Sequence, residues 1–398
     1  MRITDVRATV VSVPFNKERL WSLGSQKGTT RTILEVETDE NITGIGETIG
    51  ASKDIIENRI RPVILGEDPS NILRVCEKAK WRTPWATVNT PNLVPVAGIE
   101  MALWDIKGKL TDRTVSNLLG GEFRDKANFL HVTQLPVSRG ENISEENAVE
   151  SLLSEIDGAV RRFGFDTIQL YVAVFSPEFD VHLVGKIREK FGSALKIGID
   201  VNRTWSAQTA IQTLTKMEQH SLDYVEDVTS GILAMARVRN AATVPFSTHY
   251  TDLYQIASLR AADVVVGDIH DFGGFIGTMK LIAQCEAFNL GFWFHSSNEL
   301  GVSLAAMMQI IAASPHIVHP SQTIVGLLTD DVITEPFRFR KGAVELPKKP
   351  GLGVELDRNK LDKYSKLYVD SGEFGFHEPD SRPPTRVVSS NLRHLRIS

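Results

Sequence analysis

The chain has 398 residues, 42% hydrophobic and 23% charged, which is long for one domain, gives two packed units as the expectation and argues against global disorder. A net charge of −5 offers no basic footprint for nucleic acid, and two cysteines, Cys76 and Cys285, provide neither a disulfide framework nor a zinc cage. The opening run "MRITDVRATVVSVPF" alternates like a strand and lacks the apolar core and cleavage site of a signal peptide, and no apolar stretch approaches the ~20 residues of a membrane helix, so a soluble, cytoplasmic protein is expected.

The first 125 residues read as an α+β unit. Residues 1–13 and 31–38 ("RTILEVET") alternate like strands, and glycines punctuate a third in "NITGIGETIG". Apolar residues then recur at helical spacing through residues 96–121, where Gly120 and Gly121 supply a stop.

From residue 126 the rhythm changes. Eight short apolar runs follow: "NFLHVTQLPV", "TIQLYV", "KIGIDV", "LDYVEDV", "VPFSTHY", "DVVVGDI", "GFWFHS" and "HIVHPS". All but the last precede an amphipathic stretch, which predicts a parallel β/α barrel over 126–322. A doubly wound open sheet is the alternative, but its glycine-rich first turn is absent. Residues 323–398 lose the alternation and are expected to pack back on the N-terminal unit.

The third to seventh runs end on Asp200, Glu226, His249, Asp268 and His295. One such residue, or the pair Asp200 and Asn202, is explained by helix capping. Five in register are not, because in a barrel these strand ends converge on one mouth, where such enzymes place their chemistry. Asp200 and Glu226, on neighbouring strands, suit a hard divalent cation such as Mg²⁺, although a solvated pair is the plainer alternative. Asp268 and His295 on adjacent strands suit a carboxylate that orients an imidazole base.

These residues lie in stretches that resemble the enolase superfamily, on the side of mandelate racemase and glucarate dehydratase. The likeness rests on "GIGET" (44–48), "AGIEMALWDIKGKLTDRTVSNLLGG", "IGIDVNRTWS", "DYVEDV", "DVVVGDIHDFGG", "FHSSNELGVSLAA" and "PGLGVEL". The resemblance implies an α+β capping domain over a modified (β/α)7β TIM-type barrel, with Mg²⁺ at the ends of the third, fourth and fifth strands. It also implies removal of the proton α to a substrate carboxylate, a chemistry that pairs a Lys or His base with Mg²⁺.

Carried over residue by residue, Asp200 and Glu226 match the first two metal ligands, and Asp268 and His295 the seventh-strand histidine dyad. Asn202 matches a carboxamide of acid-sugar dehydratases, and Asn298 is a candidate substrate contact. A loop at 14–30 is expected to close over the mouth, with Trp21 and Arg31 as candidate contacts. Two positions depart from the pattern. Gln169-Leu170-Tyr171 stands where a Lys-x-Lys is common, leaving Gln169 to bind substrate and Tyr171 to assist a leaving group. His249 stands where an oxygen ligand is common, either as a third ligand or beside the metal.

The expected function is Mg²⁺-dependent dehydration of an acid sugar to a 2-keto product by a homo-oligomer that binds a small carboxylate substrate. A racemase or epimerase of the same fold, and a non-catalytic carboxylate-binding descendant, remain as alternatives.

Overall fold

The computed structural model describes residues 1–83, 92–137 and 143–374. The last 24 residues of the expected C-terminal segment therefore lie outside the described residues. Two sheets organise the chain. The smaller is antiparallel, in the order β3 (Thr43–Ile49), β2 (Gly24–Thr38), β1 (Ile3–Trp21), β5 (Leu135–Val137). β1 and β2 pair from Ile3↔Thr38 to Trp21↔Gly24, with a register shift between Pro14 and Arg19. The expected loop at 14–30 is thus a continuous hairpin with its tip at Ser22 and Leu23. β5 pairs with the outer half of β1, giving it a second hydrogen-bonded edge.

The helix Val94–Thr111 packs on this sheet. It is shorter than the run at 96–121, because Asp112 turns left-handed (φ 53) and the chain restarts as a short helix at Val115–Leu118. Contact with the sheet is backbone to backbone: a Cβ on Gly46 would lie 2.0 Å from the Gly98 carbonyl oxygen. Buried Asp105 on the same helix accepts hydrogen bonds from the Ile45 N–H (2.9 Å) and the Leu352 N–H (2.8 Å). That carboxylate ties the two motifs "GIGET" and "PGLGVEL" together. Beyond it, the helix Arg358–Ser371 lies against β1, and Arg358 Nη1 donates to Glu35 at 2.8 Å.

The larger sheet is the barrel. Strands β4 (Lys126–Thr133), β6 (Thr167–Tyr171), β7 (Lys196–Asp200), β8 (Tyr224–Glu226), β9 (Phe246–Thr248), β10 (Val264–Gly267) and β11 (Gly291–Phe294) are parallel and sequential. The eighth, β12 (Ser321–Thr323), returns beside β4. It begins where the expected run "HIVHPS" ends. On the other side, the Phe294 N–H donates to Ser321 Oγ (3.2 Å) and the Ser296 N–H to Gln322 Oε1 (3.3 Å), bridging β11 to β12. The run "NFLHVTQLPV" divides between the two sheets, and β13 (Ala343–Glu345) adds antiparallel to the start of β4. The result is a modified (β/α)7β barrel with an α+β cap. Among the described residues no helix is long and apolar enough to cross a membrane.

Cap and barrel meet at a fully buried ion pair. Glu47 Oε1 on β3 accepts from Arg31 Nε on β2 at 2.6 Å and from the Leu300 N–H at 2.9 Å, while Oε2 accepts from the Ser303 N–H at 2.9 Å. Arg31 Nη1 donates to the Ser297 carbonyl at 3.1 Å, and Thr29 Oγ1 donates to the Asn298 carbonyl at 2.7 Å. Removing one partner of a buried, hydrogen-bonded pair strands the other charge, which costs about 3–5 kcal/mol. Arg31→Met is therefore expected to lower the unfolding free energy by about that amount. Urea denaturation checks this, and a loss below ~1 kcal/mol, the scale of an exposed pair, would contradict it.

Candidate active site

The C-terminal ends of the barrel strands form one mouth under the hairpin tip. A cavity of about 290 Å³ opens there, lined among others by Trp21, Tyr171, Asp200, Asn202, His249, His295 and Asn298. These expected site residues are brought together. Glu226 lies just beneath, in register with Asp200 and buried.

Two expected contacts are elsewhere. Arg31 is wholly buried in its pair with Glu47, because a guanidinium at the cap–barrel seam is the partner that a buried carboxylate needs. Gln169 is inside the barrel, where its Oε1 accepts from Tyr224 OH (2.7 Å) and Gln322 Nε2 (2.9 Å). Gln322 Nε2 also reaches Glu226 Oε2 at 2.7 Å, so this amide layer holds the carboxylate from below.

The expected Asp268–His295 hydrogen bond is not the one formed. The chain turns immediately after β10, and the backbone N–H of His270 donates to Asp268 Oδ1 at 2.7 Å. The His270 ring bonds the same oxygen through Nδ1 and donates from Nε2 to the Glu47 carbonyl at 2.9 Å. Asp268 Oδ2, also buried, has no hydrogen-bond partner among the described residues. His295 Nε2 instead faces Asp271 Oδ2 at 3.6 Å and Ser297 Oγ at 3.4 Å. Burial works against its charge, but Asp271 first, then Asp268 and Glu226, hold the imidazole up at about 9.

Asp227 follows Glu226, and strict alternation would point it away from the mouth. Its left-handed backbone (φ 42) turns it back instead. Asp227 Oδ2 bonds His249 Nδ1 at 3.0 Å and accepts from Arg203 Nε at 2.9 Å, and Oδ1 accepts from Thr248 Oγ1 at 2.9 Å. Burial would raise Asp227, yet His249 and Arg203 hold it at about 2. His249 is pushed below its ordinary value by burial and by neighbouring His295, whose ring centre is 4.5 Å away, edge to face.

The remaining carboxylates behave oppositely. Burial first, then Asp227, pushes Asp200 up to about 7, and burial with Asp200 and Asp227 raises Glu226 well above the carboxylate range. Glu299, which accepts from Ser296 Oγ at 2.6 Å, is pushed up to about 7 by burial. Two in-register carboxylates that cannot both ionise unaided, beside an Asn202 Oδ1 that is buried without a partner, are a donor set short of a cation. No group of three His, Cys, Asp or Glu forms a ready cage among the described residues. Mg²⁺ does not need one, since one or two carboxylates plus water and substrate suffice. The residues fit it.

Sequence reasoning missed His270, Asp271, Asp227 and Arg203. All four lie within the quoted stretches "DVVVGDIHDFGG", "DYVEDV" and "IGIDVNRTWS", but beyond the strand ends, where turn geometry decides their direction.

The chain belongs to the enolase superfamily, as a member like mandelate racemase and muconate lactonizing enzyme. Residues 4–120 match the family described as "Mandelate racemase / muconate lactonizing enzyme, N-terminal domain", and residues 151–360 match "Enolase C-terminal domain-like". A "Probable glucarate dehydratase" of Streptomyces coelicolor is 29% identical, over 87% of this chain and 86% of that protein. An N-succinyl-L-Arg/Lys racemase of Bacillus cereus is 25% identical, over 91% and 98%. The crystal structure of an enolase from Thermobispora bispora, complexed with magnesium and formate, is 30% identical, covers 94% of each chain and superposes with a TM-score of 0.85. This is an enzyme superfamily whose members perform more than one reaction.

Removing the Asp271 carboxylate takes away the largest support of the His295 imidazolium, so its pKa falls. Asp271→Asn is therefore expected to lower the midpoint of the His295 imidazole titration, followed by NMR. An unmoved midpoint would show that His295 titrates independently of Asp271.

Proposed function

We propose that the protein dehydrates an acid sugar to a 2-keto acid, with Asp200 and Glu226 holding Mg²⁺. When bound there, the ion supplies Lewis-acid polarisation of the substrate carboxylate, which acidifies the proton on the neighbouring carbon. His295 takes that proton. Its Nε2 side is turned to Asp271 and Ser297, so the proton arrives at Nδ1, which makes no hydrogen bond to a described residue. The imidazolium so formed is stabilised by Asp271 and Asp268, and can return the proton to the departing β-hydroxyl on its own face. Tyr171, raised well above its ordinary value by burial and by Asp200 and Glu226, remains a phenol that can donate a hydrogen bond there. Water is kept off by the hairpin tip, where Trp21 lies 5.8 Å from Tyr171, ring to ring.

The observation that carries dehydration over racemisation is that no second base stands across from His295 among the described residues. Racemisation takes a proton from one face and returns it to the other, so two acid/base groups must flank the α-carbon. Tyr171 cannot titrate near neutrality, and Gln169 neither titrates nor reaches the cavity. His249 is edge-on against His295 at 4.5 Å, too close for a carbon atom with its substituents to sit between the rings.

Incubation with Mg²⁺ and a panel of acid sugars in D₂O, followed by NMR, tests the reading. A keto product is expected, with deuterium exchange confined to one α-epimer. Exchange at both epimers of recovered substrate, without a keto product, would make the protein a racemase. His295→Asn is expected to abolish both signals while leaving Mg²⁺ binding in place. Asp200→Asn should weaken that binding by at least tenfold in calorimetry, because one of the two anionic ligands is lost. Unchanged Mg²⁺ affinity in Asp200→Asn would place the ion elsewhere.

A further inference from the structure

The outer segment of the hairpin over the mouth is weakly held by its own strands. Pairing between β1 and β2 is interrupted between Pro14 and Arg19 and resumes for Arg19↔Gln26, Leu20↔Ser25 and Trp21↔Gly24. β5 adds Glu18↔Val137, Arg19↔Pro136 and Leu20↔Leu135, but Pro136 has no N–H to give to that ladder. Strands this short are marginal without packing against other elements, so side chains must hold the tip in place. Trp21 belongs to this outer segment and lines the mouth.

Arg19, two residues before Trp21 on the strand, supplies such a hold. It is buried to 1% exposure, and its guanidinium reaches the flank of the barrel. Nη1 donates to Glu155 Oε2 on the helix Glu145–Phe163 and points at the Gln134 carbonyl, 3.5 Å away. Nη2 donates to Asn16 Oδ1, in the stretch where pairing with β2 is interrupted. Glu155 Oε1 also accepts from Thr133 Oγ1 of β4 at 2.8 Å. Burial would raise the Glu155 carboxyl, yet His131 and Arg19 hold it below its ordinary value, so the pair is ionic. One guanidinium thus ties the hairpin to the loop that leaves the first barrel strand and to the helix behind it. A cavity of about 740 Å³ lies alongside, lined among others by Asn16, Lys17, Arg19, His131 and Glu155, so this flank of the hairpin has room to move.

We propose that the Arg19–Glu155 pair is the latch that fixes the hairpin over the mouth, sets Trp21 against Tyr171 and so keeps water from the reacting carbons. Arg19 and Glu155 are positioning residues, and neither is among the residues that line the mouth. The inference rests on the reading that the chemistry takes place in this mouth, and it holds whichever acid is turned over.

The test follows Trp21 by acrylamide quenching of its fluorescence, taken in each background as the difference from Trp21→Phe, with the full chain and Mg²⁺. Glu155→Gln keeps the shape and an acceptor but removes the charge. Its quenching constant is expected to rise about two- to fivefold, as a buried indole opens to solvent, with the circular dichroism spectrum unchanged. Arg19→Met should do the same, and exchanging the partners, Arg19→Glu with Glu155→Arg, should return the constant towards the wild-type value. Arg19→Lys, which keeps the charge and loses the fork, carries the test if the neutral variants do not fold. In D₂O, with an acid sugar that the wild type turns over, the ratio of α-deuterium in recovered substrate to keto product is expected to rise in Glu155→Gln, because solvent then competes with loss of the β-hydroxyl. A lowered melting temperature with unmoved Trp21 quenching would mark the pair as purely structural and overturn the inference, while leaving dehydration standing. Raised quenching in the variants, with no acid sugar turned over by the wild type, would support the latch and defeat the dehydratase reading.

Discussion

The site depends on one buried carboxylate that belongs to the other domain. Glu47 comes from the cap, yet it accepts the Leu300 and Ser303 N–H groups that open the helix Gly301–Ala313 behind the seventh barrel strand. A carboxylate at a helix N-terminus satisfies donors that have no intrahelical partner and faces the positive end of the helix dipole. Arg31 neutralises Glu47 and carries the connection on to the Ser297 carbonyl, and the Glu47 backbone carbonyl receives His270. One residue thus fixes the segment after His295 and the turn after Asp268. The barrel alone does not define where these groups stand.

Above that anchor, the mouth is a problem in charge balance. Asp200, Glu226, Asp227, Asp268 and Glu299 are all buried around it. They divide by partner. Asp227 and Asp268 have imidazoles and arginines and are held as anions. Asp200, Glu226 and Glu299 lack a cation, and burial pushes them towards the neutral form. A divalent ion between Asp200 and Glu226 would reverse that for both. Its positive charge would also oppose one on His295, and so bring the imidazole closer to the neutral form a base requires.

The same balance separates the two histidines. His295 and His249 touch, and each has a carboxylate partner, but at His249 burial and the neighbouring His295 outweigh Asp227, whereas at His295 Asp271, with Asp268 and Glu226, outweighs burial. His295 is therefore the one held high and His249 the one held low. The Nδ1 of His249 is committed to Asp227.

The sequence by itself determined the barrel, because strand burial imposes runs of apolar residues at a regular interval, and the register of Asp200, Glu226, His249, Asp268 and His295, because side chains at successive strand ends must face one mouth. It determined the cap as α+β for the same reason of local periodicity. The partners of those residues were decided only by tertiary structure. Asp268 turns to His270, Asp271 to His295 and Asp227 to His249, because each lies in a turn past a strand end, where left-handed backbone and neighbouring loops, rather than period-two alternation, set direction. The continuation of the hairpin to Trp21 required β5, a strand more than 110 residues away in the chain. Arg31 reads in sequence as a contact for substrate and is in space the partner of Glu47, because the buried charge that claims it is invisible until cap and barrel are brought together.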